Sequence, residues 1–149
     1  MPSTGLSSCL KSWYLIAGTG ATTFTTAARN LFAEANFSTR STAGANIGYN
    51  TTNNQITFSH VGTRFIEVIF VGGGGATTFS QTITISFILS GIAVKTMRVF
   101  STASGSIPRQ VASQGIYAVT SGSTLQINYS GGTNCYITNG SSVLVRFIS

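Results

Sequence analysis

Apolar residues recur at every second position over much of this chain, and that period admits strands and little else. Between Thr78 and Leu89, Phe79, Ile83, Ile85, Phe87 and Leu89 share one face, while Thr78, Ser80, Thr82, Thr84 and Ser86 share the other. Such a segment is a half-buried antiparallel strand. Ile56, Phe58 and His60 alternate in the same way, as do Leu125, Ile127 and Tyr129, and then Val143, Val145 and Phe147. The stretch Phe65–Val71 differs, being apolar on both faces apart from Glu67. It is expected to lie between layers or to form part of a subunit interface. Turn-forming residues separate these runs at 51–54, 72–75, 101–108, 121–123, 131–134 and 139–142, close to the ~8–12 residue spacing of a sandwich or barrel. Only Ala28, Leu31, Phe32 and Ala35 have helical spacing, over barely two turns, and an irregular strand fits them equally. One sandwich of about ten short antiparallel strands follows, since a chain of 149 residues is the usual size of one domain. Residues 1–20 read as an arm or first strand, and residues 21–149 as the sandwich.

Charge narrows the function. Only 7% of the residues are charged, against about 25% in an ordinary domain. There is no Asp; the acids are Glu34 and Glu67, and the one histidine is His60. The net charge of +6 therefore reflects missing acids. The bases Lys11, Arg29, Arg40, Arg64, Lys95, Arg98, Arg109 and Arg146 are scattered, and no basic arm for nucleic acid is formed. The hydrophobic content of 42% excludes a disordered chain. No stretch approaches the ~20 apolar residues of a membrane-spanning helix. The apolar run after Lys11 is shorter than the roughly 7–15 residues at the heart of a secretory signal, so export is not expected. A chain with so little charge has little to keep it soluble alone, which favours a subunit of something larger.

Reactive motifs are incomplete. Gly72–Gly75 lacks the Lys-Ser/Thr and the following helix of a phosphate loop, and is expected to be a flexible hairpin loop. His60 is the only possible base for a Ser or Cys nucleophile, and no Gly-x-Ser-x-Gly elbow occurs. A glycosidase pair would need both Glu34 and Glu67. An ion pair of Glu67 with Arg64, Arg98 or Arg146, fixing register or an interface, is the preferred reading. One His, two Glu, Cys9 and Cys135 give no recognisable ligand spacing, so neither metal nor cofactor is expected. Whether Cys9 and Cys135 pair stays open. No catalytic residue is assigned. The candidate interface residues are Arg64, Phe65, Glu67, Ile69, Tyr117, Tyr129, Tyr136 and Arg146.

Several segments together resemble the C1q/TNF-like jelly-roll family. Gly48-Tyr49-Asn50, Ile56-Thr57-Phe58 and Gly62 before Phe65–Val71 resemble its Asn/Gly-Tyr turn, following strand and Gly-led central strand. Ile85–Gly91 with Val94 resembles its strand, turn and return strand. Val119–Ile127 looks like its aliphatic-x-x-Gly-Asp-x-aliphatic segment, and Val143–Ile148 like its last strand. The likeness covers residues 45–149. Arg64 stands where the motif has Tyr, Ser90 replaces Asn before the turn glycine, and Ser123 replaces Asp after Gly122. The Ser, Thr and Gly content is closest to the viral, phage and spore-surface members. The resemblance implies a trimer. The expected function is a non-enzymatic, self-assembling subunit of a virus or phage particle (capsid, decoration or spike), located in the virion after assembly in the host cytoplasm or nucleus. Its partners are other copies of itself, as a trimer or larger shell, together with other virion proteins or a host receptor or glycan. A spore-coat protein is the alternative within the same class. A carbohydrate-binding module, with Tyr129 and Tyr136 beside Asn128 and Asn134, is the alternative from a different class.

Overall fold

The computed structural model describes residues 12–18, 22–24, 29–35, 37–76, 81–101, 109–131, 135–137 and 140–149. These form two facing antiparallel sheets, a jelly-roll sandwich. The strands are β1 (Trp13–Ala17), β2 (Thr22–Phe24), β3 (Arg29–Asn30), β4 (Thr39–Ala43), β5 (Ile47–Asn50), β6 (Gln55–Phe58), β7 (Arg64–Ala76), β8 (Gln81–Leu89), β9 (Ile92–Ser101), β10 (Arg109–Val119), β11 (Thr124–Ser130), β12 (Cys135–Ile137) and β13 (Ser142–Phe147). The first sheet runs β2-β12-β7-β13-β1-β4, with β10 on the far edge of β7. The second runs β5-β6-β11-β8-β9, with β3 beside β11.

Alternation in the sequence becomes alternation between core and surface. Ile66, Val68 and Phe70 of β7, Val143, Val145 and Phe147 of β13, and Ile83, Ile85 and Phe87 of β8 are fully buried. Leu125, Ile127 and Tyr129 of β11 lie beside β8 in the second sheet and, with it, face the β7 and β13 residues across the core. On the outside, that sheet carries Gln55 and Thr57, Thr82, Thr84 and Ser86, Thr96 and Arg98, and Gln126 and Asn128. Gln55 Nε2 donates to Gln126 Oε1 at 2.9 Å, and Gln126 Nε2 donates to Asn128 Oδ1 at 2.7 Å. Of the helical spacing at 28–35, Ala28 lies outside the described residues, and the rest holds the two residues of β3 and a 3-10 turn, Leu31–Ala33, capped by the Asn30 side chain. Cys9 lies outside the described residues.

One expectation is corrected. Gly72–Gly75 is not a loop but the second half of β7. Gly72, Gly73 and Gly74 pair with Val111, Gln110 and Arg109, and Gly74 and Gly75 pair with Ile137 and Tyr136. Glycine weakens a strand when its backbone freedom is the only consideration, but here a partner strand on each edge supplies the hydrogen bonds that hold it extended.

The β8–β9 hairpin turns on Ser90 and Gly91, with φ of 48° and 84°. Both central residues thus have the positive φ of a type I′ turn, where Asn-Gly is the preferred pair. No atom stands near the position of an added methyl at Gly91, so substitution there tests backbone preference alone. Gly91→Ala is expected to lower stability by about 1 kcal/mol, read as an earlier urea midpoint with unchanged slope. An unshifted midpoint would mean that the turn relaxes to another type without cost.

Candidate functional site

The outer face of the first sheet is apolar around a small polar centre. Antiparallel register sets its rows: Trp13, Arg146, Glu67 and Ile116 lie in line across β1, β13, β7 and β10, and Leu15, Leu144, Ile69 and Gln114 form the next row. Ala17, Ser142, Val71 and Ala112 follow. Phe65 is 47% exposed, Val71 50% and Ile116 57%. These protrude on the β7–β10 side. On the β1–β13 side, Trp13, Leu15, Leu144 and Arg146 line an open groove of about 300 Å3.

Glu67 is nearly covered, because its long neighbours bend over it. Arg146 Nε donates to Glu67 Oε1 at 2.6 Å, and Gln114 Nε2 donates to Glu67 Oε2. Of the three arginines expected to compete for Glu67, Arg146 holds it. Arg64 turns elsewhere: its guanidinium lies 3.8 Å from the centroid of Phe147, and its Nε donates to the Ser149 carbonyl at 2.8 Å. Lys95 Nζ, from the edge strand β9 of the opposite sheet, donates to the Gln114 carbonyl at 2.6 Å. It thereby closes the side of the sandwich beside this face.

The expected interface residues separate into groups. Phe65, Glu67, Ile69 and Arg146 share this outer face, while Arg64 flanks it at one end of β7. Tyr117 faces inward on β10 and packs against the core; Gly115, two residues earlier, leaves the space its ring occupies. Tyr129 is corrected from surface to core: it is 1% exposed, because its position in the β11 alternation points between the sheets. An aromatic row for sugar therefore cannot include it. Tyr136 lies in β12, paired with Thr23 and Gly75. Sequence reasoning missed Trp13, Leu15, Leu144, Gln114 and Ile116. The alternation of Ile116 with Gly115 and Tyr117 was a usable signal; the role of Gln114 was not visible without register.

Among the described residues, the remaining reactive side chains do not meet. Glu34 pairs with Arg29 at 2.7 Å beside Tyr129. His60 is buried against Phe147, with ring centroids 5.1 Å apart, and its Nε2 lies 3.0 Å from the Val119 carbonyl. Among the described residues, no three of His, Cys, Asp and Glu gather as a metal set, and no helix is long and apolar enough to cross a membrane.

Burial pushes the Tyr129 phenol well above its ordinary value of 10.0, and the adjacent Glu34 carboxylate pushes it further while Arg29 opposes. The folded chain therefore holds a proton that the unfolded chain loses near pH 10. This contribution is complete below about pH 10 and declines as pH rises above it. Thermal midpoints between about pH 8 and about pH 11 are expected to fall, and Tyr129→Phe to lessen the slope. Tyr14, Tyr49 and Tyr117, also raised by burial, leave a residual slope. Equal slopes in the two proteins would exclude Tyr129 as the source.

No family model matches this chain, and no curated protein matches it. Solved structures do. The chain is similar to the Eiger TNF of S. frugiperda, with a TM-score of 0.65, 11% identity and 92% of each chain covered. At that identity the likeness shows the fold: a TNF-like jelly roll.

Proposed function

We propose that this chain is a non-enzymatic building block that associates with copies of itself as a trimer, through the outer face of the first sheet. The observation that carries this reading is the apolar surface of Phe65, Val71 and Ile116 beside the groove of Trp13, Leu15 and Leu144. Exposed large apolar side chains gathered on one face favour an association site. The protruding side and the grooved side are different strands of one face, so one copy's ridge fits the next copy's groove. Such head-to-tail contacts close into a ring when the rotation allows. The resemblance to C1q/TNF-like jelly rolls supports three copies in that ring. Scarce charge, with both acids neutralised inside the chain, suits a subunit packed among its own kind.

Within this reading the assembly is a component of a virus or phage particle, a shell or decoration protein ahead of a spike, with a spore-coat protein second. The Ser, Thr and Gly content supports that branch. Sedimentation over a hundredfold range of concentration, with electron microscopy of the same samples, tests both levels. Trimers support the association and closed particles support a shell protein. A chain that stays monomeric throughout overturns the proposal.

A further inference from the structure

Arg146 is held from one side only. Its Nε is bonded to Glu67, while its two Nη groups meet no acceptor among the described residues, and the side chain is 41% exposed. The free end of the guanidinium is a planar pair of donors that matches a carboxylate. It stands at the wall of the groove, whose other walls are the apolar Trp13, Leu15 and Leu144. A volume of about 300 Å3 is at the small end of the range for ligand pockets, and a mostly apolar lining with one placed polar group is their usual chemistry. A neighbouring copy brings no side-chain carboxylate to this donor pair, because Glu34 and Glu67 are each bonded to an arginine of their own chain.

We infer that the groove is a binding site for a small carboxylate with a short aliphatic or aromatic body, its carboxylate on Arg146 and its body against Trp13, Leu15 and Leu144. Glu67 orients the guanidinium so that the donor pair is fixed before the ligand arrives. The site lies on the face proposed for self-association, so a bound carboxylate displaces a neighbouring copy; the displacement, though not the binding, rests on that reading.

Trp13 is the only tryptophan of the chain, so its fluorescence reports the groove directly. Titration of the full chain with octanoate is expected to give a saturable change in emission. Octanol, of equal length and uncharged, should bind at least about tenfold more weakly, the scale of a lost charge-assisted hydrogen bond. The double variant Glu67→Gln with Arg146→Gln keeps a neutral hydrogen-bonded pair and should lose octanoate by a similar factor. Leu144→Phe fills the groove without changing charge and should lose it too. The inference is overturned if octanoate gives no saturable change, if octanol binds as well, or if both variants bind like the parent. Light scattering on the same samples separates the two proposals. Octanoate binding by a chain that is monomeric without it removes the association and keeps the site. Trimers that ignore octanoate do the reverse.

Discussion

On the proposed association, Ile116→Glu is expected to turn trimers into monomers while the fold survives. Ile116 is 57% exposed in the isolated chain, so the change costs folding little: about 0.5 kcal/mol for an exposed position, and up to about 1 kcal/mol more from Glu67 directly opposite on β7. At a contact the same change removes a buried apolar side chain, worth roughly 1.5–3 kcal/mol. It also desolvates a carboxylate among apolar side chains, a cost that one partly exposed Arg146 on the next copy offsets only in part. In a closed ring the loss is repeated at every contact. Thr96→Glu, on the polar outer face of the second sheet, serves as the control and should leave the mass unchanged. Sedimentation velocity distinguishes the outcomes. Assembly by Ile116→Glu equal to that of the parent would place the contact on another surface.

The second large effect is an asymmetry at the Arg146–Glu67 pair. Arg146→Leu alone leaves a carboxylate that is 8% exposed with only Gln114 to meet it. Breaking a buried pair from one side costs about 3–5 kcal/mol. Because Arg146 is itself partly in solvent, about 2–3 kcal/mol is the expected loss here. Replacing both residues by leucine removes the charge with its partner and should return stability to within about 1 kcal/mol of the parent. Urea midpoints measured at protein concentrations low enough to dissociate the assembly read folding without association. If the single and double variants are equally unstable, the loss comes from packing of the arginine stem and not from an orphaned carboxylate.

These two residues also mark the boundary of what the sequence discloses. Strands β6, β8, β11 and β13 were legible because each buries one face, and period two is the direct imprint of that burial. Glu67 was legible as a paired acid, since a lone carboxylate on an apolar strand needs a cation. Which cation was not legible. Arg146 lies 79 residues away, and only the register of β13 on β7 brings it alongside. The glycine run misled for the same reason, because local turn preference was outweighed by partner strands drawn from residues 109–111 and 135–137. Tyr129 misled in another way. A hydroxyl suggests a surface position, but alternation with Leu125 and Ile127 already pointed its ring inward. The groove was invisible for a simpler reason: it exists only where β1 and β13 lie side by side.

The second sheet carries an outward ladder of threonine, serine, glutamine and asparagine. These groups neither gain nor lose protons across the biological range, and they hold water through dipoles that dissolved ions hardly screen. Apart from Arg98, this face should therefore stay equally wetted in acid, in brine or in fresh water.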